Sequence, residues 1–526
     1  MGVTRPLFPL FLLCSAVLYY LVPKKHRWLV LLAAGAVFYL ASGVETAAYL
    51  AVTIVVTWLA ALAIEKVKAV SFSADATKEE KAAARKKTAK RAKIIASLCL
   101  VFNFATLALF KYLGFFFENI NALLGLAGIE HTLRAPSLLL PLGISFYIFQ
   151  SAGYILDVKS GKAKAQKNLA KYALFVSFFP QMIQGPINRY GELMPQLENG
   201  SDFDAGKIKS GICLIIWGLL RKVFIADVLA GAVKNVYTSY LSYPGAVVFL
   251  GVVLYCVQLY CDFAGGIDVV RGAARIFGIE MAENFRRPYF ARSLSEFWRR
   301  WHMSLGEWMK DYLFYPLALS KWMGKLSKTL RTRVSVQAGR LAAPCISTFI
   351  VFLVVGIWQG PGWSNIAYGL WNGALMSLAL ALQKPISAIN EKIGFDDKKV
   401  FVRIVQTLRT LLLVILGRYF SGSSSLIASL KMLWRTVKCF ARGGLNTQTL
   451  FSFGLSLADW VSVIAGGAIL FCVSLLQERG KSPVALLDKK PRWVQALVIF
   501  LAVFALVAKV YLNQDFISIA FVYENI

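Results

Sequence analysis

The sequence is poor in charged residues for its length. Charged residues make up 16% of its 526 residues, and hydrophobic residues make up 57%. A soluble globular protein carries roughly 25% charged residues, and a soluble chain of this length divides into several domains joined by polar linkers. Apolar runs instead recur from one end of this chain to the other. The low charge therefore argues against a soluble protein.

Histidine and paired cysteine are also scarce, which limits the chemistry. The three histidines are His26, His131 and His302, too few for a histidine-rich metal site. The eight cysteines are scattered, mostly inside apolar runs, with no C-x-x-C pair, and we expect them to be packing residues. No P-loop or G-x-G-x-x-G motif stands between a strand and a helix, which argues against a nucleotide-driven motor. We expect no bound metal and no bound cofactor.

Continuous apolar runs are what the sequence has in abundance. A bilayer core about 30 Å thick needs about 20 mostly apolar residues per helix, and several runs reach that length with their flanking small residues. Strands of a membrane barrel would alternate apolar and polar residues instead. The predicted fold is therefore an all-α, polytopic membrane bundle of about eleven to thirteen helices. The runs are Leu7–Val22, Trp28–Leu40, Ile94–Phe110, Ala173–Phe179, Val247–Val257, Ile346–Ile357, Ile404–Leu416, Ile464–Leu476 and Val494–Val507.

The net charge of +30 comes from Lys and Arg between the apolar runs, above all in Lys66–Lys93. In a soluble protein this excess would suggest nucleic acid. Cytoplasmic loops of membrane proteins carry the same excess and contact anionic lipids. We favour the second interpretation, with no nucleic-acid partner, and we place the Lys66–Lys93 loop in the cytoplasm.

Embedded polar residues divide the single multi-pass domain, residues 1–526, into three parts. Residues 1 to about 135 are apolar helices with one basic loop, and residues 386–526 are simpler accessory helices. Residues 136–385 carry nearly all the polar side chains that interrupt apolar sequence. Such side chains are costly at membrane depth and are functional candidates by default. The candidates are Gln184, Asn188, Asp262, Asp268, Asn284, Glu296, Trp298, Arg299, Arg300, Trp301, His302, Trp358, Gln359 and Asn372.

Four strings carry these residues: FFPQMIQGPINRY, DFAGGIDVVRGAARIFGI, ENFRRPYFARSLSEFWRRWHMSLGEWMKDYLFYPL and GIWQGPGWSNIAYGLWNG. In content and order they resemble the membrane-bound O-acyltransferase (MBOAT) family. The resemblance is to its bacterial alginate O-acetyltransferase-like branch, which is related to the membrane subunit that transfers D-alanine to teichoic acid. It spans about residues 135–385 and makes residues 136–385 the expected catalytic core.

The resemblance implies a fold and a reaction. The fold would be an MBOAT-type ring of helices around a tunnel through a bacterial cell membrane. The reaction would move an acyl group from a cytoplasmic thioester, expected to be acetyl-CoA, across the membrane. Expected partners are the lipid bilayer, the thioester donor, an extracytoplasmic transferase and a surface polysaccharide.

One departure from the family pattern concerns its histidines. By this resemblance, Gln359 stands in the W-Q-G string where the family has histidine, and Asn372 stands in the place of a second one. Glutamine cannot take a proton near neutral pH, but it can donate a hydrogen bond to a developing oxyanion. His302, in W-R-R-W-H, matches a family histidine. The hypothesis is that His302 is the base and Gln359 an oxyanion donor; the alternative is that His302 is a structural hydrogen-bonding residue.

The tryptophans and arginines of the same string have alternative roles. Trp298 and Trp301 are three residues apart, so we expect them to share a helix face as packing or interface residues rather than substrate contacts. Arg299 and Arg300 could bind the phosphates of coenzyme A or lipid headgroups, and the sequence favours neither.

The remaining candidates also have structural alternatives. Asp262 and Asp268 could orient His302, although we favour pairing with Arg271 or Arg275. Gln184 and Asn188 lie in a proline-broken stretch that could line a tunnel.

The sequence leaves several functions open. The first is an active O-acyltransferase for a surface polysaccharide. The second is a catalytically impaired relative that scaffolds polymer modification, which Gln359 supports. D-alanyl transfer to teichoic acid is a variant of the first, and a transporter is supported by composition alone.

Overall fold

Helices make up the regular structure of this computed structural model. It describes residues 7–41, 43–69, 77–129, 132–134, 136, 138, 140–182, 184–392, 396, 398–441 and 447–512. His131 lies outside these ranges. Within them, an isolated antiparallel bridge between Phe285 and Trp301 is the one β-type pairing.

The chain divides into two compact units, and each is described by itself. Among the described residues, the first unit comprises those within 7–217 and 266–282, and the second comprises those within 218–265 and 283–512. The helices of the first unit are α1 (Leu7–Leu21), α2 (Arg27–Leu40), α3 (Val44–Lys68), α4 (Lys78–Leu126), α5 (Ile144–Ser160), α6 (Leu169–Ser177), α7 (Tyr190–Asn199) and most of α8 (Ala205–Arg221).

The second unit contains the remaining helices. It begins within α8 and includes the first part of α10. Its helices are α9 (Asp227–Thr238), α10 (Gly245–Ile276), α11 (Leu294–Arg300), α12 (Met303–Met309), α13 (Tyr315–Ala318), α14 (Lys321–Arg333), α15 (Val336–Gln359), α16 (Trp363–Lys392), α17 (Val400–Ser421), α18 (Leu426–Lys438), α19 (Thr447–Phe451), α20 (Leu457–Glu478), α21 (Pro483–Asp488) and α22 (Arg492–Leu512).

Eight helices of the described chain are long and apolar enough to cross a membrane. The most apolar window of α20 is only 11% buried, and that of α22 is 0% buried, so their outward surface suits lipid. The expected all-α, polytopic membrane class is confirmed. The count of about eleven to thirteen included shorter segments and, like the ring and tunnel, stays a prediction. The eight are Val44–Lys68, Lys78–Leu126, Gly245–Ile276, Val336–Gln359, Trp363–Ile389, Val400–Ser421, Leu457–Glu478 and Arg492–Val510.

Much of the basic segment Lys66–Lys93 is helical. It covers the end of α3 and the start of α4, and residues 70–76 lie outside the described ranges. Thr77 begins α4 with a capping box, because its hydroxyl accepts from Glu80 N (3.2 Å) and the Glu80 carboxylate accepts from Thr77 N (2.9 Å). The cytoplasmic placement of the segment stays a prediction.

Helices α15 and α16 form a closely packed hairpin in the second unit. A Cβ added at Gly356 would lie 2.6 Å from Cα of Gly369, and one added at Gly369 would lie 2.7 Å from the carbonyl oxygen of Phe352. Small residues allow two membrane helices to approach this closely. The hairpin thereby fixes the end of α15, where Trp358 and Gln359 lie.

Candidate functional site

His302 lies in the segment of residues 283–303 that connects α10 to α12; this segment, called the His302 loop below, contains the short helix α11 and ends at the first residue of α12. Phe285 pairs with Trp301 across this loop, and Met303 N donates to the carbonyl oxygen of Asn284 (3.0 Å). These backbone pairings bring the two ends of the loop together, so the string ENF lies beside the string WHM.

The loop contains strained backbone at two positions. Arg287 (φ 48°) and His302 (φ 46°) are the only non-glycine residues with positive φ in the described chain. A left-handed conformation costs such a residue about 1–3 kcal/mol, and this strain is concentrated at functional sites. The conformation of His302 therefore supports a functional role for this loop.

The same backbone corrects one sequence prediction. Trp298 and Trp301 were expected to share a helix face, but α11 ends at Arg300 and Trp301 is extended (φ −112°, ψ 126°). The prediction was wrong because the left-handed His302 prevents α11 from continuing into α12. Both indole rings nevertheless line the same cavity, described below.

Asn284 fixes the protonation pattern of the His302 ring. Its Oδ1 accepts from the backbone N–H of Ser304 (3.0 Å) and from the Ser304 hydroxyl (2.9 Å). His302 Nδ1 lies 3.3 Å from the same oxygen, so Nδ1 carries the proton and donates. The lone pair of the neutral ring is therefore on Nε2, the nitrogen that a general base would use.

Burial keeps this ring neutral. His302 is 2% exposed, and its ring packs edge-on against Phe263 (4.9 Å between ring centroids) and near Trp358 (5.6 Å). Burial lowers the pKa of His302 to about 3. The imidazole is consequently neutral at any pH near neutrality. Because a base of low pKa is weak, a catalytic Nε2 would have to accept the proton as the hydroxyl oxygen attacks, rather than beforehand.

A cavity of about 800 Å³ opens on His302. Ligand pockets commonly measure about 300–1,000 Å³, so the cavity can hold a substantial part of an organic ligand. Trp298, Trp301 and Phe352 form apolar wall, and Lys310 begins a π-helical turn, Lys310–Phe314, that borders it. Turns of this kind are frequent at functional sites.

The lining of the cavity includes Arg286, which pairs with Glu283, and the acidic Glu307. Its other cationic residues fall into two groups. Arg300 is neutralised, because it pairs with Glu296 (2.6 Å) and Glu478 (3.0 Å). Arg299 and Lys310 are exposed, and no described acidic side chain pairs with either of them. The two arginines that the sequence could not tell apart thus differ: Arg299 is available to an anionic ligand, and Arg300 belongs to the protein's own ion-pair network.

Gln359 and Asn372, which were expected to stand where the family has histidine, lie elsewhere in the second unit. Gln359 is the half-buried last residue of α15 and is not among the described residues that line the cavity. Asn372 is buried, and its Nδ2 donates to the carbonyl oxygen of Tyr368 one turn earlier (2.8 Å). Trp358, next to Gln359, is the residue of this string that packs on His302. The catalytic role of Gln359 stays a prediction.

Arg418 is a buried cation that is not among the candidates predicted from the sequence. It is 3% exposed, its guanidinium carbon lies 4.9 Å from the centre of the Trp301 ring, and its Nη1 donates to the Tyr368 hydroxyl (3.2 Å). Cation–π contacts of this kind fix an arginine and an indole in one arrangement. Arg418 follows an apolar run and belongs to no string, so no signal pointed to it.

Asp262 and Asp268 both form ion pairs. Asp262 pairs with Lys222, which also pairs with Asp227 (2.9 Å); all three are buried, and Lys222 begins the π-helical turn Lys222–Ala226. The predicted partner of Asp262, an arginine on its own helix, is thus replaced by a lysine that sequence spacing could not indicate.

Asp268, in the first unit, lies 4.0 Å from Arg271, one of its two expected partners. Arg275, the other expected partner, pairs with Glu280 (2.7 Å) instead.

Gln184 and Asn188 are buried in the first unit, in the proline-broken stretch after α6. Asn188 Nδ2 donates to Gln181 Oε1 (3.0 Å) and to the carbonyl oxygen of Pro186 (3.1 Å). Neither amide atom of Gln184 has a hydrogen-bond partner among the described residues. A tunnel-lining role for the two residues stays a prediction.

A family model described as MBOAT, membrane-bound O-acyltransferase family, matches residues 42–425. The chain belongs to this family. The match begins earlier and ends later than the expected resemblance at about residues 135–385, so it also takes in α3, α4 and α17. The accessory helices from α18 onward lie after it.

Relatives of this MBOAT protein are named for transfer to alginate, peptidoglycan or teichoic acid. It is 32% identical over 413 residues to the probable alginate O-acetylase AlgI of Pseudomonas syringae pv. tomato, covering 78% of this chain and 70% of the relative. It is 29% identical over 402 residues to the peptidoglycan O-acetyltransferase of Helicobacter pylori, with 72% and 69% covered. It is 30% identical over 288 residues to the teichoic acid D-alanyltransferase of Bacillus subtilis, with 53% and 68% covered. The chain is a membrane O-acyltransferase.

Proposed function

We propose that the chain transfers an acetyl group from a cytoplasmic thioester, acetyl-CoA, across a bacterial cell membrane towards a surface polysaccharide. The observation that supports the proposal is the cavity lined by His302, Arg299 and Lys310, because it brings a histidine and two cationic side chains without a described acidic partner to one space. Two of the three relatives described above are named for O-acetyl transfer, which supports acetyl as the group.

The proposed reaction has two steps. An acceptor hydroxyl in the cavity gives its proton to His302 Nε2 as its oxygen attacks the thioester carbonyl. The thiolate leaves, takes up a proton, and the ester remains on the acceptor. An extracytoplasmic transferase then passes the acetyl group to the polysaccharide.

Arg299 and Lys310 hold the phosphates of the donor in this proposal. A phosphate favours a cation that has no other partner, and Arg299 can bind it with two parallel hydrogen bonds. Arg300 is a poorer candidate, because Glu296 and Glu478 already occupy its guanidinium.

The experiment compares two acetyl donors in membranes that contain the protein. Native protein should transfer label from acetyl-CoA to polymer or partner. Arg299→Gln should raise the KM for acetyl-CoA about fivefold, the loss of roughly 1 kcal/mol expected for one exposed charge contact. The same variant should leave transfer from acetyl-N-acetylcysteamine, a thioester without phosphates, unchanged.

Arg292→Gln is the matched control, because Arg292 is exposed at the start of the same segment and does not line the cavity. Equal effects of Arg299→Gln on both donors would contradict phosphate binding. No transfer from either donor by native protein would contradict the acetyl proposal.

Two alternatives have specific support. Gln359 in place of the family histidine favours a catalytically impaired relative that scaffolds polymer modification. Similarity to a teichoic acid D-alanyltransferase favours D-alanyl transfer. Label on the polymer from acetyl-CoA would argue against both.

A further inference from the structure

The loop that contains His302 is bound by Glu478, a residue of the C-terminal helices. Glu478, the last residue of α20, accepts from Arg287 Nε (2.7 Å) through Oε2. It also accepts from Arg300 Nη1 through Oε2 and from Arg300 Nη2 through Oε1, each at 3.0 Å. One carboxylate therefore bridges two arginines that lie on opposite arms of the loop.

The arms that Glu478 joins contain the strained residues. Arg287 has a left-handed backbone, and Arg300 is two residues before the left-handed His302. Arg300 Nη1 also approaches the carbonyl oxygen of Arg287 (3.3 Å), so the two arms touch where Glu478 binds them. Strained backbone persists only where surrounding contacts over-determine it, and this bridge is such a contact.

A second contact comes from the same helix. Phe471 of α20 stacks on Phe290 of the loop, with ring centroids 5.7 Å apart and planes inclined by 22°. Phe471 and Glu478 are seven residues apart, two helical turns, so they lie on one face of α20. That face holds the loop with one apolar contact and one ionic contact.

Glu478 lies beyond the part of the chain that matches the family model, which ends at residue 425. We propose that Glu478 is a positioning residue for the His302 loop. Helix α20 then contributes to the active site and is not merely an accessory helix. By bridging Arg287 and Arg300, Glu478 keeps the His302 loop in its strained shape. It also neutralises Arg300, which leaves Arg299 and Lys310 as the free cations of the cavity.

The kinetic side of this inference rests on the proposed acetyl transfer, whereas its structural side does not. Glu478→Gln keeps the size of the side chain but removes the charge. An amide has one accepting oxygen, and its NH₂ group cannot accept a hydrogen bond, so the two carboxylate oxygens that now accept from the arginines cannot both be replaced. The loop should then relax. A small misplacement of a catalytic group lowers the rate of the chemical step, so kcat should fall about tenfold. The KM for acetyl-CoA should stay within about twofold, because Arg299 and Lys310 are untouched.

Hydrogen exchange tests the structural side without activity. Exchange in peptides that cover residues 284–303 should be faster in Glu478→Gln than in the native protein, because the N–H groups that bond across the loop open more often. Glu478→Asp retains the charge and should restore part of both the protection and kcat. A merely structural role would lower the amount of folded protein and leave kcat per folded molecule unchanged.

Asp459→Asn is the matched control. Asp459 begins the same helix and pairs with Lys509 (3.5 Å), so the variant also removes an ion pair of α20. It should change neither exchange in residues 284–303 nor kcat. Native exchange in the loop of Glu478→Gln would overturn the proposal, as would faster exchange with native kcat. If the native protein transfers no acetyl group, the proposed function fails, and the exchange result still decides whether Glu478 holds the loop.

Discussion

At the residue scale, the oxygen of Asn284 determines which nitrogen of His302 carries the proton. The N–H and the hydroxyl of Ser304 both donate to this atom, which identifies it as the amide oxygen. An amide oxygen can only accept a hydrogen bond from the imidazole. The ring is buried among Phe263 and Trp358, and burial lowers the pKa of His302 to about 3. Activity should therefore show no acid limb from His302 between pH 5 and pH 8, because the imidazole stays neutral over that range.

Asn284→Asp should introduce such a limb. A carboxylate beside Nδ1 favours the charged imidazolium and raises the pKa of His302. Protonated His302 cannot act as a base, so activity should fall as the pH drops through the raised pKa. The measurement is the pH dependence of acetyl transfer between pH 5 and pH 8.

Asn372→Asp serves as the control for this change, since Asn372 is also a buried amide but bonds to the Tyr368 carbonyl of its own helix. It should leave the profile flat. A flat profile for Asn284→Asp with retained activity would contradict the role given to His302 Nε2.

Individual site residues were predictable from the sequence only where one of the four quoted strings contains them. His302, Asn284, Trp301 and Trp358 come together in the structure, and each belongs to a quoted string. Glu478 belongs to none, because its partners are nearly two hundred residues away along the chain. Long-range ion pairs of this kind leave no periodicity or spacing in a sequence.

At the scale of helices, the α15–α16 hairpin fixes the position of the WQG string. Gly356 and Gly369 allow the two backbones to touch, and a side chain at either position would meet backbone atoms at less than 3 Å. Gly369→Val should push the helices apart and displace Trp358 from His302. We expect a loss of stability of about 1–3 kcal/mol, typical of overpacking, measured as a lower apparent unfolding temperature in detergent.

Gly467→Val on α20 tests the same change where a Cβ would meet nothing within 4 Å. It should unfold at the native temperature. An unchanged unfolding temperature for Gly369→Val would contradict the close packing of the hairpin.

The apolar runs predicted helices well, because continuous apolar sequence in a membrane leaves the helix as the available structure. The short elements around His302 were harder. The string SLSEFWRRWHMSL is compatible with one continuous helix, yet the structure divides it at Trp301 and His302. That break depends on pairing with Phe285 and Asn284, which are distant in sequence, so local pattern could not reveal it.

At the scale of the whole molecule, the chain is a membrane O-acyltransferase whose proposed reaction centre is a buried neutral histidine. Composition predicted the membrane class, and the four strings predicted the family. The donor, the acceptor and the direction of transfer depend on chemistry outside the chain, so no residue pattern identified them.

The most direct test of His302 as the base is to measure acetyl transfer from labelled acetyl-CoA by the native protein, His302→Gln and His26→Gln. His26 lies in a short helical turn between α1 and α2 and controls for loss of a histidine as such. We expect transfer by the native protein and by His26→Gln, and a loss of about 100-fold or more in His302→Gln at an equal amount of folded protein. Transfer by His302→Gln at the native rate would contradict this role of His302.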